Sequence, residues 1–172
     1  MKAEEFSGRL WEFAARVGKV VDALPDTRLG RHVANHQFPV INLVGFQGLD
    51  HLALAVPDTK LARKLWRDTF GFPVLYSEDV NGGSVRLTHL DLGNTHLQLV
   101  QPLTPDHPLQ AWLAKYGPGL HHFCFRVEDV AAAPAASPVP TAPNLHQGTE
   151  GKRALLLDKA ATQGVQVELT GK

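Results

Sequence analysis

Apolar side chains recur at steps of three and four positions near the start of the chain. They are Phe6, Leu10, Phe13, Ala14, Val17, Val20, Val21 and Leu24. Because this spacing lines one face of an α-helix, it predicts an amphipathic helix that Pro25 ends. Asp26 or Thr27 can cap a shorter second helix. We therefore expect a helical N-terminal extension over residues 1–36, followed by a linker or edge strand over residues 37–47.

From Gly48 the pattern changes to short apolar runs that are separated by turn residues. The run GLDHLALAV predicts a strand. Asp58 or Thr59 can cap a helix over residues 61–70, which Gly71 ends. Three further strands follow, predicted within residues 73–80, 84–92 and 95–103. The order of elements is strand, helix and three strands, written βαβββ.

The opening of this unit recurs later in the chain. GLDHLALAVPD begins at Gly48, and the similar GLHHFCFRVED begins at Gly119, 71 positions further on. The last strands also match, since Gln98 and Glu168 lie 70 positions apart. Such a repeat predicts two βαβββ modules. The prolines of AAAPAASPVPTAPN predict a short, broken helix or a loop in the second module, whereas RALLLD and GVQVEL predict intact strands.

Four polar residues alternate with large apolar neighbours in the first and last strands of the two modules. They are His51, Gln98, His122 and Glu168. Successive side chains of a strand point to opposite faces, so these four lie off the apolar face that packs against helices. We expect them to face a cavity. Two imidazoles, a carboxylate and an amide oxygen suit zinc, cobalt, nickel or manganese rather than copper(I).

The other histidines do not share this repeated placement. His107 and His146 are expected in solvated loops. His121 is expected on the opposite face of its strand, where it packs or supports the site. His89 and His96 can point into the cavity but have no partner in the repeat.

Composition and charge limit the classes of protein that remain. The 17 Lys and Arg balance the 17 Asp and Glu, which gives no reason to expect nucleic acid or an anionic membrane as partner. Cys124 is the only cysteine, so an internal disulfide and a thiolate zinc finger are both excluded. No stretch reaches the length of a membrane span, and acidic residues near the start are unusual for targeting peptides. We expect a cytoplasmic location.

From about Gly48 to Leu169 the chain resembles the vicinal-oxygen-chelate superfamily and, within it, the methylmalonyl-CoA epimerases. The matching features are LDHLALAVPD, TFGF, LGNTHLQLVQPL, WLAKYGPGLHHF and GVQVEL. This resemblance implies an α+β fold within residues 48–172. Its two βαβββ modules, at about 48–103 and 119–172, would form a curled mixed sheet around one divalent metal ion.

Carried over residue by residue, the resemblance places His51, Gln98, His122 and Glu168 on the metal positions of the family. Glutamine at the second position favours an epimerase over a glyoxalase I-type enzyme. The implied activity is an isomerase that removes the proton alpha to the thioester of methylmalonyl-CoA. The reaction would pass through a metal-stabilised enolate, with Glu168 as general base.

Two features of the implied site stay open. Leu87 stands where some relatives carry a second glutamate, so the second proton donor is unnamed; His89 and a metal-bound water are candidates. Lys152 and Arg153 are the basic candidates for binding the phosphates of the acyl-CoA substrate. The alternative functions are a glyoxalase I-like lactoylglutathione lyase and a non-catalytic metal-dependent binding protein of the same superfamily.

Residues 1–36 resemble the start of a four-helix-bundle protein of the ribosomal-RNA-intervening-sequence type. Only the first helix and part of the second are present, so one chain cannot form a complete bundle. We expect this appendage to pack on the domain or on the second subunit of a homodimer.

Overall fold

The computed structural model describes residues 45–137 and 139–171, which belong to one compact unit. The predicted extension and most of the predicted linker lie outside these residues. The first module has the predicted order of elements. They are β1 (Phe46–Ala55), α1 (Thr59–Arg63), a π-helical segment (Lys64–Thr69), β2 (Val74–Val80), β3 (Val85–Asp91) and β4 (His96–Pro102). Because β1 begins at Phe46, the last two residues assigned to the linker belong to this strand.

The second module keeps the order of the first but has shorter elements. They are β5 (Gly119–Val127), α3 (Ala133–Ala136), β6 (His146–Gln147), β7 (Arg153–Leu156) and β8 (Val167–Gly171). The short α3 confirms the broken helix that the prolines predicted. None of the described helices is long and apolar enough to cross a membrane.

A helix that the sequence reasoning missed joins the two modules. It is α2 (Pro108–Tyr116), and the Nδ1 atom of His107 accepts a hydrogen bond from the backbone N–H of Leu109 at its start. Pro108 stands at the first helical position, where its missing N–H costs nothing. Gly117 follows the helix with a φ of 73°. A proline at the first position and a glycine just after the last are typical of a helix, so this pair in the sequence indicates α2.

The eight strands form one sheet in the order β2-β3-β4-β1-β5-β8-β7-β6. The first and last strands of each module pair in parallel, and β1 and β5 join the modules in antiparallel orientation. Ala53 pairs with Gln98 in the first module, and Cys124 pairs with Glu168 at the repeat-related positions of the second. The two modules therefore share one register, which confirms the repeat and the α+β fold.

Side-chain and backbone hydrogen bonds connect the two ends of the sheet. Asn81, after β2, exchanges hydrogen bonds with Gln147 of β6: the Asn81 N–H donates to Gln147 Oε1 at 3.2 Å, and the Gln147 N–H donates to Asn81 Oδ1 at 3.0 Å. Nearby, Glu78 accepts from the N–H of Glu150. Because β2 and β6 are opposite ends of the strand order, these contacts show that the sheet curls almost into a closed cup. We call this set of contacts the seam.

The convex face of the sheet is apolar and the concave face carries the polar residues, as the alternation of side chains along the strands predicted. In the first module Leu52 and Leu54 pack with Leu97 and Leu99 against the helical cover, which includes Trp66. In the second module a separate cluster forms around Val127, Val130, Ala133, Leu155 and Leu169. The predicted metal ligands lie on the other face, inside the cup.

Candidate metal centre

Three of the four predicted ligands meet at the centre of the cup. His51 on β1, His122 on β5 and Glu168 on β8 are buried, and their candidate ligand atoms lie within 4.8 Å of one another. Glu168 Oε2 is 3.3 Å from His122 Nε2 and 3.6 Å from His51 Nε2. Among residues 45–137 and 139–171, no other histidine, cysteine or acidic side chains form such a group of three.

Gln98, the fourth predicted ligand, lines the same cavity and is 5% exposed. Its Nε2 atom lies 2.9 Å from the Nε2 atom of His89 on the neighbouring strand. The amide nitrogen is therefore engaged by a neighbouring residue, which leaves the amide oxygen as the atom available to a cation.

The imidazoles of His51 and His122 suit a metal because each has Nδ1 in a hydrogen bond and Nε2 directed at Glu168 Oε2 without a well-aligned hydrogen bond. His51 Nδ1 lies 2.9 Å from Asp50 Oδ1, and His122 Nδ1 lies 2.8 Å from His121 Nδ1. The Nε2 atoms of both ligands are buried without a hydrogen-bond partner. Buried polar atoms rarely stay unpaired, and metal-bound histidines characteristically use their second nitrogen for such a supporting contact. The residues present therefore fit a divalent cation.

The carboxylates around the centre are held in their ionised form. Burial alone would raise the pKa of Glu168, but the charge and hydrogen bonds of the surrounding histidines, His122 first, hold it well below its usual value. Burial also opposes ionisation of Asp50, yet hydrogen bonds from His51 and Arg126 outweigh it and lower its pKa. Burial would lower the pKa of His51, but these two carboxylates raise it. The centre thus holds two ionised carboxylates, which favour a nearby cation.

The prediction that His146 lies in a solvated loop is wrong. Its Nε2 atom is 2.8 Å from Glu168 Oε1, and its side chain is 37% exposed at the cavity rim. The residue belongs to β6, which has only two residues and pairs with β7. A strand this short shows no alternation, so the sequence pattern held no signal for this contact.

His121 also lines the cavity, contrary to the prediction that it lies on the opposite face. Between Ala53 and Leu54 of β1, the partner residue on β5 steps from His122 to Leu120. His121 is therefore the extra residue of a β-bulge, which turns two adjacent side chains toward the same side. Burial lowers the pKa of His121 to about 4. Alternation within a strand cannot reveal such a bulge.

His89, which the sequence allowed to point into the cavity, lies beside Gln98 on the neighbouring strand and is not among the residues that line the cavity. It is 1% exposed, and burial lowers its pKa to about 3. A ring with this pKa stays neutral near pH 7, which makes it a weak proton donor. Leu87, where some relatives carry a second glutamate, lines the cavity without an ionisable group.

The two basic candidates for phosphate binding differ in position. Lys152 lines the cavity, with Nζ 3.5 Å from Glu150 Oε2 and 3.9 Å from Asp50 Oδ2. Arg153 is exposed on β7 and does not line the cavity. The structure therefore brings Lys152 to the site and leaves Arg153 outside it.

Comparison with known families decides the classification. The family model described as the Glyoxalase/Bleomycin resistance protein/Dioxygenase superfamily matches residues 50–139, more than half of the chain. The chain belongs to this superfamily.

Individual relatives place the chain more closely. The ethylmalonyl-CoA/methylmalonyl-CoA epimerase of Cereibacter sphaeroides is 34% identical over 127 residues, covering 70% of this chain and 95% of that protein. The mitochondrial methylmalonyl-CoA epimerase of Mus musculus is 32% identical over 126 residues, covering 70% and 71%. A solved Streptomyces coelicolor methylmalonyl-CoA epimerase variant, in complex with 2-nitronate-propionyl-CoA, is 30% identical with a TM-score of 0.66, covering 74% and 99%. The chain therefore groups with the epimerases, which are isomerases.

Proposed function

We propose that the protein is a metal-dependent epimerase of methylmalonyl-CoA. The observation that carries this proposal is the convergence of two buried ring nitrogens, Nε2 of His51 and Nε2 of His122, on Glu168 Oε2 without a hydrogen bond that would hold them there. The relatives named as epimerases support the choice of reaction. The ligand set comprises His51, Gln98, His122 and Glu168.

The reaction requires removal of the hydrogen between a thioester and a carboxylate. This hydrogen leaves slowly in water because negative charge develops on the carbonyl oxygen. A divalent cation in this ligand set, whether cobalt, zinc, nickel or manganese, supplies Lewis-acid stabilisation of that charge.

Glu168 is the general base in this proposal. It is ionised, buried and held at Oε1 by His146, so that Oε2 is the oxygen directed to the centre of the cup. As a ligand or after partial displacement from the metal, this carboxylate would accept the proton from the substrate carbon, and delivery of a proton to the opposite face of the enolate would invert the centre. Leu87 offers no second carboxylate, so the proposal names Glu168 alone.

The size of the cavity limits which part of the substrate enters it. Its volume of about 140 Å³ accommodates a small acyl group, so the nucleotide part of an acyl-CoA must lie outside. Lys152 at the cavity and Arg153 on the adjoining surface are the cations that we propose for the substrate carboxylate and phosphates.

Solvent isotope exchange tests the proposal. Methylmalonyl-CoA, the protein and cobalt are mixed in heavy water, and deuterium at C2 is measured by mass spectrometry. We expect incorporation well above a metal-only control and its loss in Glu168→Gln. Lys115→Ala, an exposed change on α2, is the matched control and should exchange normally. Exchange no faster than the metal-only control would sink the proposal.

Two further assays of the same protein distinguish the alternative functions. Conversion of a glutathione hemithioacetal to a thioester would indicate the glyoxalase I-like lyase. Stoichiometric ligand binding without product would indicate a binding protein. The cytoplasmic location and the homodimer stay predictions, which fractionation and sedimentation measurements can check.

A further inference from the structure

Each of the four proposed ligands has a polar partner behind it. Asp50 supports His51, His121 supports His122, and His146 supports Glu168. The partner of Gln98 is His89. Gln98 differs from the other three because its side chain ends in two chemically different atoms, and only one of them can bind a cation.

An amide must be turned the right way to act as a ligand. Its oxygen has lone pairs, whereas its nitrogen carries two hydrogens and offers no lone pair. The two orientations fill nearly the same space, so packing alone does not select between them. A hydrogen-bond partner that accepts from the nitrogen would select the useful orientation.

The surroundings of His89 identify its Nε2 atom as an acceptor. Gln98 Nε2 lies 2.9 Å from it, and the hydroxyl oxygen of Thr149 lies 3.3 Å from it. His89 Nδ1 is buried without a partner and the Thr149 hydroxyl can donate or accept, so the contact with the Gln98 amide nitrogen, which can only donate, makes Nε2 the acceptor. The ring of Tyr76 stacks on His89 at 4.6 Å between centroids, which fixes the plane of the imidazole.

We propose that His89 is a positioning residue, which accepts a hydrogen bond from the Gln98 side-chain nitrogen and thereby turns Gln98 Oε1 toward the metal ligands. The inference rests on the proposed function only for the identity of the ligand set. The orientation of the amide is a property of the metal-free protein and can be measured there.

The first experiment is therefore independent of the metal. Nitrogen-15 NMR of the imidazole reports which ring nitrogen carries the proton in the metal-free protein. We expect His89 to carry its proton on Nδ1 and to have a free lone pair on Nε2. A proton on Nε2 would reverse the amide and overturn the inference, whatever the activity of the protein.

The second experiment uses the difference between an amide and a carboxylate. His89→Leu is expected to weaken cobalt binding about 10–100-fold, the usual effect of removing a group that supports a metal ligand. In a Gln98→Glu protein the same change should weaken binding less than about threefold, because a carboxylate presents oxygen at both ends. Calorimetric titration with cobalt measures all four proteins.

Equal losses in the two backgrounds would assign His89 a general packing role and contradict the inference. His89→Asn keeps a polar group in case His89→Leu unfolds, and its amide can either accept or donate, so an intermediate loss is expected. If the unmodified protein binds cobalt but shows no isotope exchange, the proposed substrate fails while the positioning role of His89 stands.

Discussion

The first module covers its sheet with a helical segment, whereas the second uses a four-residue helix and loops. In the first, Trp66 and Phe72 pack beside Leu99. In the second, loop residues such as Val139 and Leu145 pack on the cluster that contains Leu169. Strands β2 and β3 have seven residues each, but β6 has two and β7 has four.

The proposed metal ligands are nevertheless placed in the same way in both modules. Each module contributes one histidine from its first strand and one oxygen ligand from its last, at matching register. The difference teaches that the pairing of first and last strands positions the ligands. The helical cover and the outer strands only need to bury the apolar face, and they can shorten without moving the site.

Removal of one ligand from each module is the strongest test of this equivalence. Structural four-ligand zinc sites bind with about 10–16 kcal/mol, so one ligand accounts for roughly 2.5–4 kcal/mol. We expect His51→Ala and His122→Ala each to weaken cobalt binding by about a few hundred-fold, measured by calorimetry. Lys115→Ala should bind normally. A much larger loss for one histidine than for the other would break the equivalence of the modules.

The apolar covers can be compared at two repeat-related leucines, both 0% exposed. Leu99 follows Gln98, and Leu169 follows Glu168. Deletion of a buried leucine to alanine costs about 2–5 kcal/mol, depending on how far the surroundings collapse. We expect Leu99→Ala to fall near the upper end and Leu169→Ala near the lower end, because loops relax more easily than a helix. Urea unfolding measures both free energies; a larger loss at Leu169 would reverse the comparison.

The seam joins the outer edges of the two modules and can be weakened without strain. Asn81 has a φ of 53°, which glycine adopts freely. Asn81→Gly therefore removes the side-chain bonds to Gln147 while keeping the backbone conformation. We expect a loss of about 1 kcal/mol in unfolding free energy. Asn94→Ala, at an exposed turn, serves as the control, and an equal loss there would show that the seam contributes nothing.

The smallest expected effect concerns the helix between the modules. Burial lowers the pKa of His107, so folding keeps its ring neutral and able to cap α2. A histidine whose pKa is lower in the folded protein stabilises the fold above about pH 6.5, the pKa of the unfolded chain. This stabilisation is lost as the pH falls toward the pKa of the folded protein. We compare unfolding free energies at pH 7.5 and 5.0. His107→Ser should reduce the loss on acidification by less than about 1 kcal/mol, since a serine cap does not titrate in this range and solvent screens the partly exposed ring. An unchanged loss would contradict the capping role.

The repeat and the alternation of side chains contained most of the information about the centre. The offset between Gly48 and Gly119 predicted the two modules, and alternation placed His51, His122 and Glu168 on one face. Both signals depend on regular strands, and β1 pairs with β4, and β5 with β8, without a register shift. Their regularity is why the ligand cluster could be predicted from the sequence.

The contacts behind the ligands could not be predicted in the same way. His121 required a bulge, and His146 required a two-residue strand to reach Glu168 across the cup. Both depend on how the sheet curls, which is a property of many residues together. The helix α2 is a different case, because Pro108 at its start and Gly117 after its end are residues typical of helix termini and could have predicted it.

The antiparallel pairing of β1 with β5 has a consequence for local opening of the protein. These strands stand at the middle of the eight, with three strands on either side. Fraying that begins at β2 or β6 must progress through the intervening strands before it reaches them, so their amides should exchange with solvent last. His51 and His122 thus occupy the part of the sheet that opens most rarely, and a bound ion would outlast many partial openings at the rim.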